Sequence, residues 1–323
     1  MKVGVVGCGA LGSYYGAKLS RAGQTVHFLM RSDFEVVRRQ GLSIRSPQGS
    51  FLLHPPCAQD PQEIGFCDLV LIGLKTTANH QFPKLLPPLV KPSTIFLTLQ
   101  NGLGNEEQLA RLFPPSQIMG GLAFVCLNRV APGVIHHLDH GAIVIGEYQG
   151  GPTPRTEALA EMFRNAGVDC SVTPNLAQAH WEKLIWNIPF NGLGVASSAG
   201  YEAVHSGDPR HVPVVPGPCL TTDLLLADTG WAQLVRELMG EVVSSGRALG
   251  FKISESLSDE LLKKTYSMGA YKPSTVLDFE RGQAIELEGL FLEPLRQAQA
   301  AGVATPRLAA LCEILTTIAP RSA

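Results

Sequence analysis

Residues 1–12, MKVGVVGCGALG, carry the reading that decides the fold. Val3, Val5 and Val6 make a short apolar run, and Gly7, Gly9 and Gly12 follow it at the spacing G-x-G-x-x-G. A helix-compatible stretch from about Ser13 to Arg21 comes next, so the order is strand, tight turn, helix. Gly7 allows a turn that a side chain would hinder. Gly9 lets the backbone come close to a pyrophosphate, and Gly12 lets the helix pack tightly on the strand. The free N–H groups and partial positive charge of the helix start suit phosphates. Gly7, Cys8, Gly9, Ala10, Leu11 and Gly12 are therefore read as a dinucleotide-binding turn. The glycine spacing alone would also fit an ordinary glycine-rich turn, and the Val-rich strand before it is what separates the two.

The rest of the composition agrees with a folded chain of this kind. Its 323 residues suffice for two domains of ordinary size. Hydrophobic residues make up 45% and charged residues 17%, which excludes a disordered chain. A net charge of −2 gives no reason to expect nucleic-acid or anionic-membrane binding. No run approaches membrane-spanning length, and the apolar start, broken by glycines, fits a strand better than a secretory core. The seven cysteines are scattered and contain no C-x-x-C pair, which points to a reduced, cytoplasmic setting.

Working outward, Gln24 to Met30 reads as the second strand and Arg31 follows it, where an adenine ribose lies in such folds. An acidic residue there accepts from a ribose 2′-OH and favours NAD, whereas Arg31 offers a cation to a 2′-phosphate and favours NADP. Asp33, two residues on, keeps the first alternative open. Gly41 to Leu53 reads as two short strands around a turn at Ser46–Gly49, and Asp68–Leu74 and Thr94–Leu99 as buried parallel strands. Ligands in doubly wound sheets sit outside the carboxyl ends of the strands, which is where Lys75 and Asn101 fall. Each also fits a plainer role, as a solvent-facing lysine and a turn asparagine. His136, His137 and His140 invite a metal reading, but adjacent strand residues point to opposite faces and no ligand set is completed, so no metal is expected. A helix over Thr153–Ala166 and a strand over Val168–Thr173 lead to a domain boundary at Pro174–Asn175.

Beyond the boundary the pattern turns helical. In Ala177 to about Gly192, Trp181, Leu184, Ile185 and Ile188 form an apolar face. Lys183, Asn187 and Asn191 stand at i, i+4 and i+8, so they share another stripe. A solvated face would more often carry Glu, Lys or Arg than two asparagines. Pro189 lies between them and should kink the helix. Residues 201–228, with four prolines and two glycines among 207–218, read as a long loop or partly mobile insertion. Helices follow over Trp231–Leu249, Glu255–Met268, Ile285–Ala300 and Thr305–Ile318. A nicotinamide cofactor would carry hydride chemistry, and the alkoxide formed from a ketone needs a general acid nearby; Lys183 is the best candidate.

Taken together, GCGALGSYYGAKL at 7–19, Arg31, LKT at 74–76, QNGLGNEE at 100–107, HWEKLIWNIPFN at 180–191, KPSTVLD at 272–278 and RGQAIELEG at 281–289 resemble the ketopantoate reductase family along nearly the whole chain. The resemblance implies an α/β fold, with an N-terminal Rossmann-type doubly wound sheet (1–174, NADP-binding) and an all-helical substrate and catalytic domain (175–323). It implies NADPH-dependent reduction of 2-dehydropantoate to (R)-pantoate, in pantothenate and coenzyme A synthesis. Under it Lys183 is the general acid, and Glu286 helps hold that lysine and a substrate hydroxyl. Asn187 and Asn191 bind the 2-keto acid, Ser274 its carboxylate, and Asn101 contacts both the reacting oxygen and the cofactor. Lys75 lies near the nicotinamide and Arg31 on the 2′-phosphate. Because the local wording is IELE, Glu288 is the fallback for Glu286. Two alternatives stay open, a reductase of another small 2-keto acid and a non-catalytic NADP-binding regulator; homodimer formation is left open as well.

Overall fold

The computed structural model describes residues 1–320, which separate into two compact units. The first comprises Met1–Asn101 and Asn105–Leu176, the second Gly102–Gly104 and the described residues from Ala177 onward.

The first unit is built on a ten-stranded sheet. Its strands are β1 (Lys2–Val6), β2 (Thr25–Leu29), β3 (Leu42–Arg45), β4 (Phe51–Leu53), β5 (Cys57–Ala58), β6 (Leu69–Ile72), β7 (Ile95–Thr98), β8 (Ile118–Ala131), β9 (Val134–Glu147) and β10 (Cys170–Val172). They lie in the order β4-β3-β9-β8-β7-β6-β1-β2-β5, with β10 beside β9. From β8 to β5 every pairing is parallel, and β1 is flanked by β2 and β6. The carboxyl end of β1 therefore lies between two outward-running windings, the place where such sheets hold ligands. β8 and β9 form a long antiparallel hairpin with three register shifts. The expected strands at 24–30, 41–53, 68–74, 94–99 and 168–173 all form, a few residues shorter at their ends. The buried strand residues Val3, Val5, Leu69, Leu71 and Leu97 pack with the helix Ala10–Arg21 through Tyr14, Tyr15, Ala17 and Leu19. Val6, Val70, Ile72 and Phe96 pack on the other face with Phe82, Leu86 and Leu89. Strands buried on both faces read as continuous apolar runs, as seen in DLVLIGL.

The second unit is helical, centred on the helix Leu176–Ala196. From Leu184 to Ala199 nearly every residue of this region is buried except the half-buried Trp186. Asn187 and Asn191 are 7% and 3% exposed, inside the unit, in keeping with a stripe whose amides do not suit a solvated face. The helix runs unbroken through Pro189, which forfeits one backbone hydrogen bond while packing holds the remainder. Residues 201–228 also differ from the long loop expected. They hold helices at Tyr201–Ser206 and Thr222–Ala227 and a 3₁₀ turn at Pro209–His211. Ala203, Val204, Leu225 and Leu226 enter the core, so burial overrides the proline-rich composition. The helix Thr229–Ala248 packs in the same core through Leu234, Val235, Leu238, Met239 and Val242. Among the described residues no helix is long and apolar enough to cross a membrane.

Candidate active site

The glycine turn is built as its spacing predicts. Gly7 has φ +94°, and a Cβ there would stand 2.2 Å from the backbone nitrogen of Leu74. A Cβ on Gly12 would stand 2.3 Å from the Gly7 carbonyl oxygen. Gly73, which the sequence reading passed over, completes this packing: its Cβ would meet Gly12 backbone at 2.8 Å. A glycine directly after an apolar strand was the available signal. Gly9 is different in kind, because a Cβ there would meet nothing within 4 Å. The space over Gly9 is unfilled by protein, and the helix that begins at Ala10 has no side-chain cap on its N–H groups. An uncapped helix start beside open space fits a pyrophosphate. The Cys8 thiol donates to the Leu29 carbonyl at 3.2 Å, tying the turn to the end of β2. Burial, assisted by the charge of Asp33, raises its pKa and keeps it protonated.

At the end of β2, Arg31 is exposed and makes no hydrogen bond or ion pair among the described residues. Asp33 is buried at 6% exposure, and both its oxygens are engaged. Arg129 Nε donates to Oδ2 at 2.8 Å and Arg129 Nη2 donates to Oδ1. The Gly133 N–H donates to Oδ2 at 2.9 Å and the Ser32 hydroxyl to Oδ1 at 2.8 Å. These donors outweigh desolvation and hold the Asp33 pKa below the ordinary carboxylate value.

Lys75 is exposed just beyond β6, at the start of the short helix Thr76–Gln81. Asn101 follows β7 and sits over a chain of buried amides that the sequence reading missed. Thr98 Oγ1 donates to Gln100 Oε1 at 2.9 Å and Gln100 Nε2 to Asn79 Oδ1 at 2.7 Å. Asn79 Nδ2 donates to Asn105 Oδ1 at 2.9 Å, and Asn105 Nδ2 to the Asn101 carbonyl at 3.1 Å. Such a chain fixes the turn because each amide has both a donor and an acceptor to satisfy. Gly102, next along, has φ +81°, and a Cβ there would stand 2.3 Å from the Gly289 carbonyl oxygen.

In the second unit the helix Leu176–Ala196 carries Lys183, Asn187 and Asn191 on one stripe. Lys183 is half-buried, and burial pulls its pKa from the ordinary 10.5 down to about 8, opposed by the negative charge of Glu286. Glu286 is thus within electrostatic reach of the lysine and is 8% exposed. Glu288 is exposed and paired with Arg296. Of the two glutamates, Glu286 is the buried one. Asn191 Oδ1 accepts from the Thr275 N–H at 3.2 Å, which brings the Pro273–Ser274–Thr275 segment onto the stripe. That segment is also held by Thr222, whose N–H donates to the Tyr271 carbonyl at 3.0 Å, and by the Lys272–Glu280 ion pair at 2.7 Å. Asn187, although buried, makes no hydrogen bond to the protein among the described residues, and neither does the exposed Ser274 hydroxyl. The Asn187 amide atoms keep contact with solvent, so they are open to a ligand.

The histidines stay outside the site. His137 is buried, its Nδ1 2.8 Å from Ser46 Oγ and its Nε2 3.0 Å from the His140 carbonyl, while His136 and His140 are exposed. Among the described residues no group of three His, Cys, Asp or Glu side chains is placed to hold a metal.

A family model described as ketopantoate reductase PanE/ApbA matches residues 3–150, and one for its C-terminal part matches residues 219–319. A 2-dehydropantoate 2-reductase of Nostoc sp. is 41% identical over 313 residues, 95% of this chain and 92% of the relative. The chain belongs to the ketopantoate reductase family. Its relatives make it an oxidoreductase of the 2-dehydropantoate 2-reductase type. The crystal structure of 2-dehydropantoate 2-reductase from Geobacter metallireducens matches with a TM-score of 0.89 at 44% identity, covering 98% of this chain and 99% of that one. A ternary structure of D-mandelate dehydrogenase with NADH and anilino(oxo)acetate matches with a TM-score of 0.84 at 18% identity, a likeness of fold alone.

Proposed function

We propose that this ketopantoate reductase family member reduces 2-dehydropantoate to (R)-pantoate with NADPH, using Lys183 as general acid. The observation that carries the reading is the stripe itself. A lysine whose pKa is drawn down to about 8 stands within electrostatic reach of Glu286 and shares its helix face with Asn187, whose amide is uncommitted and open to a ligand. The bound nicotinamide would supply the hydride to the C2 carbonyl carbon. Lys183 Nζ gives its proton to the alkoxide oxygen as the C–H bond forms, leaving a neutral amine and an alcohol. Glu286 holds the lysine in its charged form and accepts from the substrate hydroxyl. Asn187 and Asn191 offer amide donors, and Ser274, exposed at the start of its helix, donates to the carboxylate. Asn101, on its amide-braced turn, contacts the reacting oxygen and the cofactor.

For the cofactor, Gly7 to Gly12 receive the pyrophosphate and Lys75 the nicotinamide end. Arg31 is uncommitted and exposed, which suits a 2′-phosphate. A carboxylate has about four acceptor sites, and Asp33 already receives four donors, so the alternative of a ribose 2′-OH on Asp33 loses its acceptor. A cytoplasmic setting is part of this reading, and the seven cysteines are free thiols.

The test is NADPH oxidation by the purified protein with 2-dehydropantoate, run beside NADH and other branched 2-keto acids. Turnover fastest with NADPH and 2-dehydropantoate is the expected result. Turnover fastest with another keto acid would transfer the reading to that substrate, and nucleotide binding with no turnover on any of them would make the chain a binding protein.

A further inference from the structure

Asp33 lies close enough to the glycine turn for its charge to act on Cys8. A carboxylate in that position has two opposite effects on a dinucleotide. It accepts from a ribose 2′-hydroxyl, and it repels a 2′-phosphate. Neither effect operates while Arg129 holds it. Arg129 comes from β8, near the tip of the long β8–β9 hairpin and 96 residues away in sequence. Its guanidinium meets both Asp33 oxygens through Nε and Nη2, a fork that neutralises the charge and fixes the carboxylate plane. The hairpin turn supplies the Gly133 N–H to the same group. The tip is seated against the helix Phe34–Gln40 as well: a Cβ on Gly133 would stand 3.1 Å from the Val37 side chain and 3.2 Å from the Gly41 carbonyl oxygen. Asp33 is 8% exposed in its side chain, whereas Arg129 retains 38%. The acid is therefore the enclosed member of the pair, and the arginine covers it from the solvent side.

We propose that Arg129 is a specificity-determining residue for the ribose 2′ position: by saturating Asp33 it converts an NAD-type acidic end of β2 into one that accepts NADP. The inference rests on the reading of residues 7–12 as a nicotinamide-dinucleotide turn. Arg31 supplies attraction to the 2′-phosphate, and Arg129 removes the competing carboxylate without touching the nucleotide. This division of labour gives the two arginines different signatures. Loss of Arg31 weakens NADP binding and leaves NAD binding alone. Loss of Arg129 weakens NADP binding and strengthens NAD binding, because Asp33 is released as an acceptor.

The experiment measures dissociation constants of NADP⁺ and NAD⁺ by titration calorimetry, for the wild-type chain, Arg129→Gln and Asp33→Asn/Arg129→Gln. The expected result for Arg129→Gln is NADP⁺ binding weaker by about tenfold, with NAD⁺ binding tighter. In the double variant the charge is gone, and NADP⁺ affinity returns to within about twofold of wild type. Unchanged constants in Arg129→Gln would overturn the inference. So would a double variant as weak as the single one, since Arg129 would then act by direct phosphate contact or by folding alone. Should Arg129→Gln fail to fold, Arg129→Met removes the charge while keeping an unbranched side chain, and an NADP⁺ to NAD⁺ ratio identical to wild type would count against the proposal. A wild-type chain that binds NAD⁺ as tightly as NADP⁺ would instead refute the NADP reading, and one that binds neither would refute the dinucleotide turn, and this inference with it.

Discussion

At the scale of single residues, the same amino acid does different work according to what surrounds it. Gly7 and Gly12 are glycines because backbone stands where their Cβ atoms would go, while Gly9 faces open space. Gly9→Ala should therefore leave the melting temperature within about 2 °C of wild type, since it displaces no protein atom, yet weaken NADPH binding about tenfold. Fluorescence titration beside a thermal melt checks both. Lys183 and Glu286 make a second pair of residue-scale expectations. The lysine is charged below its pKa of about 8 and neutral above it, so kcat/KM for keto-acid reduction should be level at lower pH and fall as pH rises through about 8. Glu286 raises the lysine pKa, so Glu286→Gln should move that fall to lower pH. Lys183→Ala should cost about 10²- to 10⁴-fold in turnover while NADPH binding is kept, and a pH profile of the residual activity should lack the fall.

At the scale of elements, the helix Leu176–Ala196 and the segment Tyr271–Thr275 form one working part. Asn191 accepts the Thr275 N–H, and Thr275 is 2% exposed, so this donor has no water to turn to. Asn191→Leu should destabilise the chain by about 1–3 kcal/mol, measured by denaturant unfolding, and raise KM for the keto acid as Ser274 loses its support. Ser274→Ala should raise KM with stability unchanged, because its hydroxyl holds no other part of the protein. The stripe spacing was legible in the sequence, since i, i+4, i+8 follows from helix geometry alone. The burial of the two asparagines and the tie to Thr275 were not, because burial is set by tertiary packing and the Thr275 N–H comes from 84 positions along the chain. The helices within 201–228 were missed for a related reason: local proline content argued for a loop, and the decisive contacts come from core residues elsewhere in the chain.

At the scale of the whole molecule, two compact units divide the labour, the first carrying the glycine turn and the second Lys183. A ligand that binds only the folded first unit stabilises it by mass action, about 2.7 kcal/mol at a hundredfold excess over Kd. NADPH at that level should raise melting by several degrees, and if the units melt in separate calorimetric transitions the shift should fall on the sheet unit.

The sequence by itself determined the strand–turn–helix start, the succession of parallel strands, the helical second half and the spacing of Lys183, Asn187 and Asn191. Each of these follows from periodicity or backbone freedom within about a dozen neighbouring residues. Only the tertiary structure buried Glu286 while leaving Glu288 exposed on Arg296, drew Asn187 and Asn191 into the second unit, and closed Asp33 under Arg129. Those outcomes depend on which distant side chains meet and which groups lose water, and charge and hydrogen-bond capacity settle such matters at contact distance, whatever the separation along the chain.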